Sequence, residues 1–256
     1  MEAILTASGC APLLFATQNQ VAIERKVLQM LLTMKELSGV LVEGSKTALP
    51  SPNLDLYQKL MDKGVQLVFL NGAYPEMSYI PSVLADDYGG GKMLAEYLYH
   101  KGHQNIAGIF KSDDIQGFRR YSGCIETMRD LGLPIEDGQF FWYDTEARMS
   151  ALSERGIMQI LERLTNCSAI ICYNDEVAIQ VVSVLKRQQY NIPEDITVVS
   201  FDNSRYSELA PIRITSLSHD EKNIGSLSAD LMLRILLGKE YSSEVVPWVL
   251  VEKESS

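Results

Sequence analysis

Short apolar, β-branched runs alternate with longer segments of helical period along nearly the whole chain, and no other feature constrains the fold as much. Strand-like runs fall at 13–16, 39–42, 65–70, 106–110, 140–143, 169–172, 196–201, 212–217 and 246–251. Helix-like segments fall at 21–37, 54–63, 88–100, 115–131, 151–164, 176–189 and 221–237. Two strands separated by a helix pair in parallel, because the crossover supplies the about dozen residues needed to return to the same edge. The pattern predicts the α/β class, with doubly wound parallel sheets covered by helices on both faces. Helix ends carry their own marks. Ser51, Pro52 and Asn53 precede one helix, and Asn174, Asp175 and Glu176 open another with carboxylates at the positive end of the dipole. Gly64, Gly102 and Gly238 stand where helices should stop. With 256 residues the chain has room for two lobes of ordinary domain size. No repeat, low-complexity tract or flexible linker divides it, so short crossings are expected to join the lobes.

Charge and composition narrow the function classes. The formal net charge is −10, and the densest basic runs are Arg119-Arg120 and Lys186-Arg187. A DNA-binding surface needs clustered Lys and Arg to neutralise phosphates, so this chain is not expected to hold DNA itself. No apolar run approaches the roughly 18–20 residues that cross a bilayer. The opening residues lack the basic flank and apolar stretch of a signal peptide. Cys10, Cys124, Cys167 and Cys172 form no CxxC pair and have no His at metal-ligand spacing, which reads as thiols in a reducing cytoplasm. A cytoplasmic protein is expected, without membrane contact, metal or cofactor.

The usual catalytic motifs are missing. There is no GxSxG elbow and no HExxH. The histidines are His100, His103 and His219, and the acidic pairs Asp113-Asp114 and Glu136-Asp137 are adjacent rather than set apart for acid–base work. The triple glycine Gly89-Gly90-Gly91 lacks GxGxxG spacing and no Walker Lys-Ser pair follows, so close helix packing is its expected role. The chain reads as a binding protein rather than an enzyme.

Several segments occur in a telling order: Asp86-Asp-Tyr-Gly-Gly-Gly91, Leu98 through Lys101-Gly-His103, Arg120-Tyr-Ser-Gly123, Cys172-Tyr-Asn-Asp175, Asn191-Ile-Pro-Glu-Asp-Ile-Thr-Val-Val-Ser-Phe-Asp-Asn203, Ala210-Pro-Ile-Arg-Ile-Thr-Ser-Leu217 and Val251-Glu-Lys-Glu-Ser255. Together they resemble the effector-binding domain of the LacI/GalR family of bacterial transcription regulators. The resemblance implies two doubly wound lobes of periplasmic-binding-protein-like type with a central cleft. They would be made of residues 1–84 with 217–240 and residues 85–216 with 241–256. The segment from Val42 to Asn53, Asn71-Gly-Ala-Tyr74 and the segment from Phe110 to Gly117 are most similar to members that join a GntR-type winged-helix head to this sensor and respond to L-arabinose. It further implies a sugar effector, a homodimer in the intact protein, and operator DNA held through an N-terminal head that this sequence does not include. The family's first sensor strand also has no counterpart here, so the N-terminal lobe is expected to be incomplete.

A monosaccharide offers adjacent hydroxyls and an apolar ring face, so its site calls for carboxylates and amides, a cationic donor and an aromatic wall. Open α/β sheets gather such groups at strand C-terminal ends. Lys46 follows the 39–42 run, Asn71 follows 65–70, Lys111 with Asp113 follows 106–110, Asn174 follows 169–172 and Asp202 follows 196–201. The resemblance carries effector contact to Asn71, Arg120, Asn174 and Asp202 and puts His219 just past the 212–217 run. It places Trp142 or Tyr143 to stack on the ring, with Trp142 favoured. The expected ligand set is Lys46, Asn71, Lys111, Arg120, Trp142, Asn174, Asp202 and His219. Each has a plainer role open to it: Asp202 and Asn174 as caps, Arg120 as an ion-pair partner, Lys46 and Lys111 as solvated charges, His219 as a structural hydrogen-bonding group. Tyr74 is a secondary candidate that would otherwise pack between lobes. A periplasmic-type sugar-transport protein shares the two-lobed design and stands as the alternative function. The absent export signal and the cysteine usage count against it.

Overall fold

The computed structural model describes residues 1–164, 166–219 and 223–256 and divides into two compact units. The first comprises Met1–Ala85, Asp113–Ile115 and Glu221–Val246, the second Asp86–Ser112, Gln116–Asp220 and Pro247–Ser256. In chain order the strands are β1 (Gly39–Val42), β2 (Gln66–Leu70), β3 (Ser82–Ala85), β4 (Ile106–Lys111), β5 (Phe140–Tyr143), β6 (Ala169–Cys172), β7 (Thr197–Phe201), β8 (Thr215–Ser218), β9 (Glu244–Val246) and β10 (Val249–Val251). The helices are α1 (Glu2–Ala7), α2 (Val21–Leu31), α3 (Leu54–Asp62), α4 (Asp87–His100), α5 (Ile115–Asp130), α6 (Arg148–Ala151), α7 (Glu154–Arg163), α8 (Asp175–Arg187), α9 (Arg205–Leu209) and α10 (Ile224–Leu236). None is long and apolar enough to cross a membrane among the described residues.

The first unit is built on an all-parallel sheet of order β1-β2-β3-β9. Its core joins Leu28 and Leu31 of α2, Leu56, Tyr57 and Leu60 of α3, and Phe69, Tyr74 and Val42. The α2 and α3 positions recur at helical spacing, so each helix turns one apolar stripe inward. The second unit has a sheet of order β10-β8-β7-β6-β4-β5, in which only β10 runs antiparallel. Every residue of β4, β6 and β7 is buried. Strands covered on both faces are mostly apolar, which is why these three stood out in the sequence; Ser200, the polar residue inside β7, donates its hydroxyl to Asp175. Side-chain caps fix the helix starts at Asp86, Ser153, Asn174, Ser204 and Asn223.

Several expectations change. The 13–16 run is not a strand: β1 forms the edge of its sheet and pairs with β2, and Leu13 and Leu14 are exposed. An extended apolar run without a ladder partner leaves its backbone to water, so propensity alone does not make a strand. The short β3, Ser-Val-Leu-Ala after Pro81, was not expected. The 246–251 run breaks at Pro247, which has no N–H for a ladder. Its first residue, Val246, ends β9, which lies parallel to β3, and Val249–Val251 forms β10, antiparallel to β8. Residues 241–246 therefore belong to the first unit and 217–219 to the second. Helix 21–37 stops at Leu31, and helix 151–164 is replaced by α6 and α7 with Ser153 capping the latter. Residues 221 and 222 of the expected 221–237 helix lie outside the described residues.

Candidate functional site

In the second unit the polar candidates gather around Arg120. Its carrier, α5, follows β4 directly and packs close to the first turns of α4. A β-carbon at Gly91 would overlap the Arg120 carbonyl, and one at Gly90 would collide with Trp248 and Phe201. The triple glycine thus serves close packing. Arg120 Nε donates to Asp87 Oδ1 at 2.8 Å, with both side chains buried, and Nη1 donates to the Tyr173 carbonyl at 2.5 Å. Its Nη2 lies 3.8 Å from Asp202 Oδ1. The guanidinium sits 4.3 Å from the Phe201 ring centre, 4.9 Å from Tyr173 and 5.4 Å from Trp248. His219 lies over Trp248 in a stacked arrangement, ring centres 3.7 Å apart, with Nδ1 3.2 Å from the Pro247 carbonyl.

The electrostatics follow from this enclosure. Burial alone would pull the Arg120 guanidinium down, and the carboxylates of Asp87 and Asp202 more than reverse it, so the cation persists. Burial pushes the Asp202 carboxyl up to about 6 against the opposing pull of Arg120. Solvent reaches 42 % of that side chain, which tempers the shift. Burial lowers His219, keeping its ring neutral at pH 7.

Asp202 and Asn203 both adopt left-handed backbone, φ 95° and 43°. The turn is held from below by Asp175, which is buried and accepts from the hydroxyls of Ser200 and Ser216 and from the Ser204 N–H. Lys253 Nζ adds a bond to Asn203 Oδ1 at 2.7 Å. Asn174 caps α8 through Oδ1, which accepts from Val177 N–H at 3.1 Å. Its plainer role is therefore real, and the cap leaves its amide nitrogen unused. Lys111 ends β4 and is buried rather than solvated.

Trp142 lies among rings outside the Arg120 cage, those of Phe118, Tyr121 and Phe110. Tyr143, next along β5, faces the other side of the sheet, where its ring meets Tyr173 edge-on. Strand side chains alternate faces, so a register one residue off exchanges the two.

The first unit holds a smaller polar group. Lys46, at φ 51°, has Nζ 3.8 Å from Asp113 Oδ2 and gives its N–H to Asn19 Oδ1 at 2.7 Å. Asn71, at φ 58°, reaches Glu43 Oε1 at 3.4 Å. Left-handed backbone at non-glycine residues is sparsely populated and concentrates where surroundings impose it. Tyr74 is fully buried in this unit's core.

Asp87, Tyr173, Phe201 and Trp248 escaped the sequence reading. Asp87 was hidden beside Asp86, which is the one that caps α4. Tyr173 lies inside the Cys172–Asp175 segment, and its position there was the available signal. Trp248 follows a proline in a run read as one strand, and nothing local pointed to it. No group of three metal-ligating side chains occurs among the described residues. The arrangement offers a neutralised cation and aromatic rings with polar groups at the rim, suited to holding a ligand.

A family model for the periplasmic binding protein-like domain matches residues 95–256, more than half of the chain. The chain belongs to the periplasmic-binding-protein-like family. Among curated members of similar sequence, the arabinose metabolism transcriptional repressor of Halalkalibacterium halodurans is 30% identical over 91% of this chain and 61% of its own length. That of Geobacillus stearothermophilus is 31% identical over 92% of this chain and 64% of its own. The chain thus spans less than two thirds of these relatives. A transcriptional regulator CelR–cellobiose complex superposes with a TM-score of 0.83 and 23% identity over 99% of this chain and 76% of that one. At that identity the likeness concerns the fold. This periplasmic-binding-protein-like chain and that regulator share parallel α/β architecture.

Proposed function

We propose that this chain is the effector-sensing part of a LacI/GalR-type transcription regulator, that it binds a neutral monosaccharide without transforming it, and that L-arabinose is the first candidate. The observation that carries the reading is the caged Arg120, neutralised by Asp87 and flanked by Asp202 and His219. Asp202, His219 and Asn174 are the groups that take sugar hydroxyls in the second unit, with Lys111 as a further candidate there; Lys46 and Asn71 are the candidates carried by the first unit. Arg120 is matched by Asp87 and Asp202, and Lys46 by Asp113. That balance favours an uncharged sugar over a sugar phosphate. The printed names of the relatives at 30% and 31% identity support arabinose as ligand and repression as the role of the intact protein. There, a homodimer would hold operator DNA through a separate head, and sugar would alter that hold by a coupling of about 1–3 kcal/mol.

Calorimetric titration with L-arabinose, D-xylose, D-galactose and a sugar phosphate tests this. Saturable arabinose binding that is lost in Asp202→Ala is the expected result. No binding of any sugar by a folded chain, or tighter binding of the phosphate, would overturn the reading.

A further inference from the structure

Glu24 of α2 is buried, yet its partners among the described residues are neutral donors. Oε1 accepts from the Ser45 N–H at 3.0 Å and the Tyr57 hydroxyl at 2.9 Å, and Oε2 accepts from Asn53 Nδ2 at 2.7 Å. The Tyr74 hydroxyl lies 2.8 and 3.0 Å from the two oxygens. A carboxylate enclosed without a cation is costly, and a position needed only for packing is better filled by an apolar residue such as Leu28 or Leu31 on the same face. The donors explain the choice. They come from the turn after β1, from the start of α3 and from the loop after β2, and they converge on Glu24; the first and last of these segments carry Lys46 and Asn71.

The turn is gripped on both sides. Glu24 takes the Ser45 N–H, the Tyr74 hydroxyl lies 2.8 Å from the Ser45 carbonyl, and Asn19 takes the N–H of left-handed Lys46. Tyr74, three residues past left-handed Asn71, ties that loop to the same turn through its hydroxyl. Burial and the neighbouring carboxylate push both phenols up, so they remain donors. We propose that Glu24 is a positioning residue for the ligand-binding loops of the first unit, fixing the conformations of Lys46 and Asn71 without touching ligand. Its ligand arm rests on the function proposed above, while its structural arm does not.

Two measurements test it on Glu24→Gln and Tyr74→Phe, with Lys46→Ala alone and combined with Glu24→Gln. In Glu24→Gln, NMR hydrogen exchange at the Ser45 and Lys46 amides should quicken roughly ten- to hundredfold, with Phe69 in the sheet unchanged. Tyr74→Phe should shift the same amides less. Arabinose affinity should fall roughly tenfold in Glu24→Gln, and Lys46→Ala should weaken that variant no further. Unchanged exchange at residues 45 and 46, a uniform rise across the sheet, or additive losses of affinity would overturn the proposal. If the parent binds no arabinose, the proposed function fails and the exchange measurement still decides for or against Glu24. If Glu24→Gln does not fold, Tyr74→Phe carries both comparisons.

Discussion

Replacing Asp87 with Asn should destabilise the second unit severely. The Nε–Oδ1 distance to Arg120 is 2.8 Å and the two side chains are 3% and 2% exposed. At an effective dielectric of about 20, that separation corresponds to an attraction of about 6 kcal/mol. A retained amide–guanidinium hydrogen bond returns about 1–2 kcal/mol. The remainder, about 4–5 kcal/mol, is an upper bound, because burial pushes the Asp87 carboxyl up against the pull of Arg120 and the amide is spared that cost; the about 3–5 kcal/mol typical of breaking a buried pair is the working figure. Asp202, at 3.8 Å and partly solvated, cannot replace the lost partner. Each kcal/mol lowers the midpoint by about 2–4 °C in a unit of this size, so calorimetry should find the transition about 6–20 °C lower. Removing the orphaned cation as well, in Asp87→Asn/Arg120→Met, should restore at least half of the loss. A single variant within about 1 kcal/mol of the parent, or a double variant weaker than the single, would refute the reasoning.

Further outcomes follow from the same geometry. Asp202 has a folded-state value of about 6 against 3.8 unfolded, so the folded chain binds more protons in that window and stability falls as pH rises through it. Discounted for its solvent exposure, Asp202→Asn should be roughly 1 kcal/mol more stable than the parent at about pH 8 and no different near pH 4 by urea melts; a gain appearing only in acid contradicts this. The tryptophans are Trp142 and Trp248, and His219 stacks on the latter. Arabinose should therefore change the fluorescence of Trp142→Phe but not of Trp248→Phe, and the opposite pattern would move the ligand to the Trp142 cluster. Gly91→Ala forces a β-carbon onto the Arg120 carbonyl and should cost about 1–3 kcal/mol in thermal unfolding, whereas a neutral effect would show that α4 and α5 can part freely.

The strands that the sequence displayed best are short, largely apolar runs: β1, β5 and β6 match their expected ends, and β2, β4 and β7 differ from theirs by one residue. The 13–16 run had the same local character and lacked a partner, a property that only tertiary pairing determines. β3 and β9 were illegible for the converse reason: short, weakly patterned segments become strands because β2 and β3 offer them edges. At the site, residues at strand ends were legible because sheet topology sends loops to one end. Arg120, Asp202 and His219 were singled out in this way, or by motif. Trp248 and Asp87 were not, since their roles arise from packing across segments distant in sequence. Trp142 and Tyr143 show the limit sharply: a one-residue ambiguity in register exchanges opposite faces of a sheet.

The most direct test of the sugar-sensor account is a crystal structure of this chain grown with L-arabinose. The account predicts sugar hydroxyls bonded to Asp202 and to Asn174 or His219, with the Arg120–Asp87 pair intact behind them. Sugar bound instead against the Trp142–Phe118 cluster, or no sugar at saturating concentration, would contradict it.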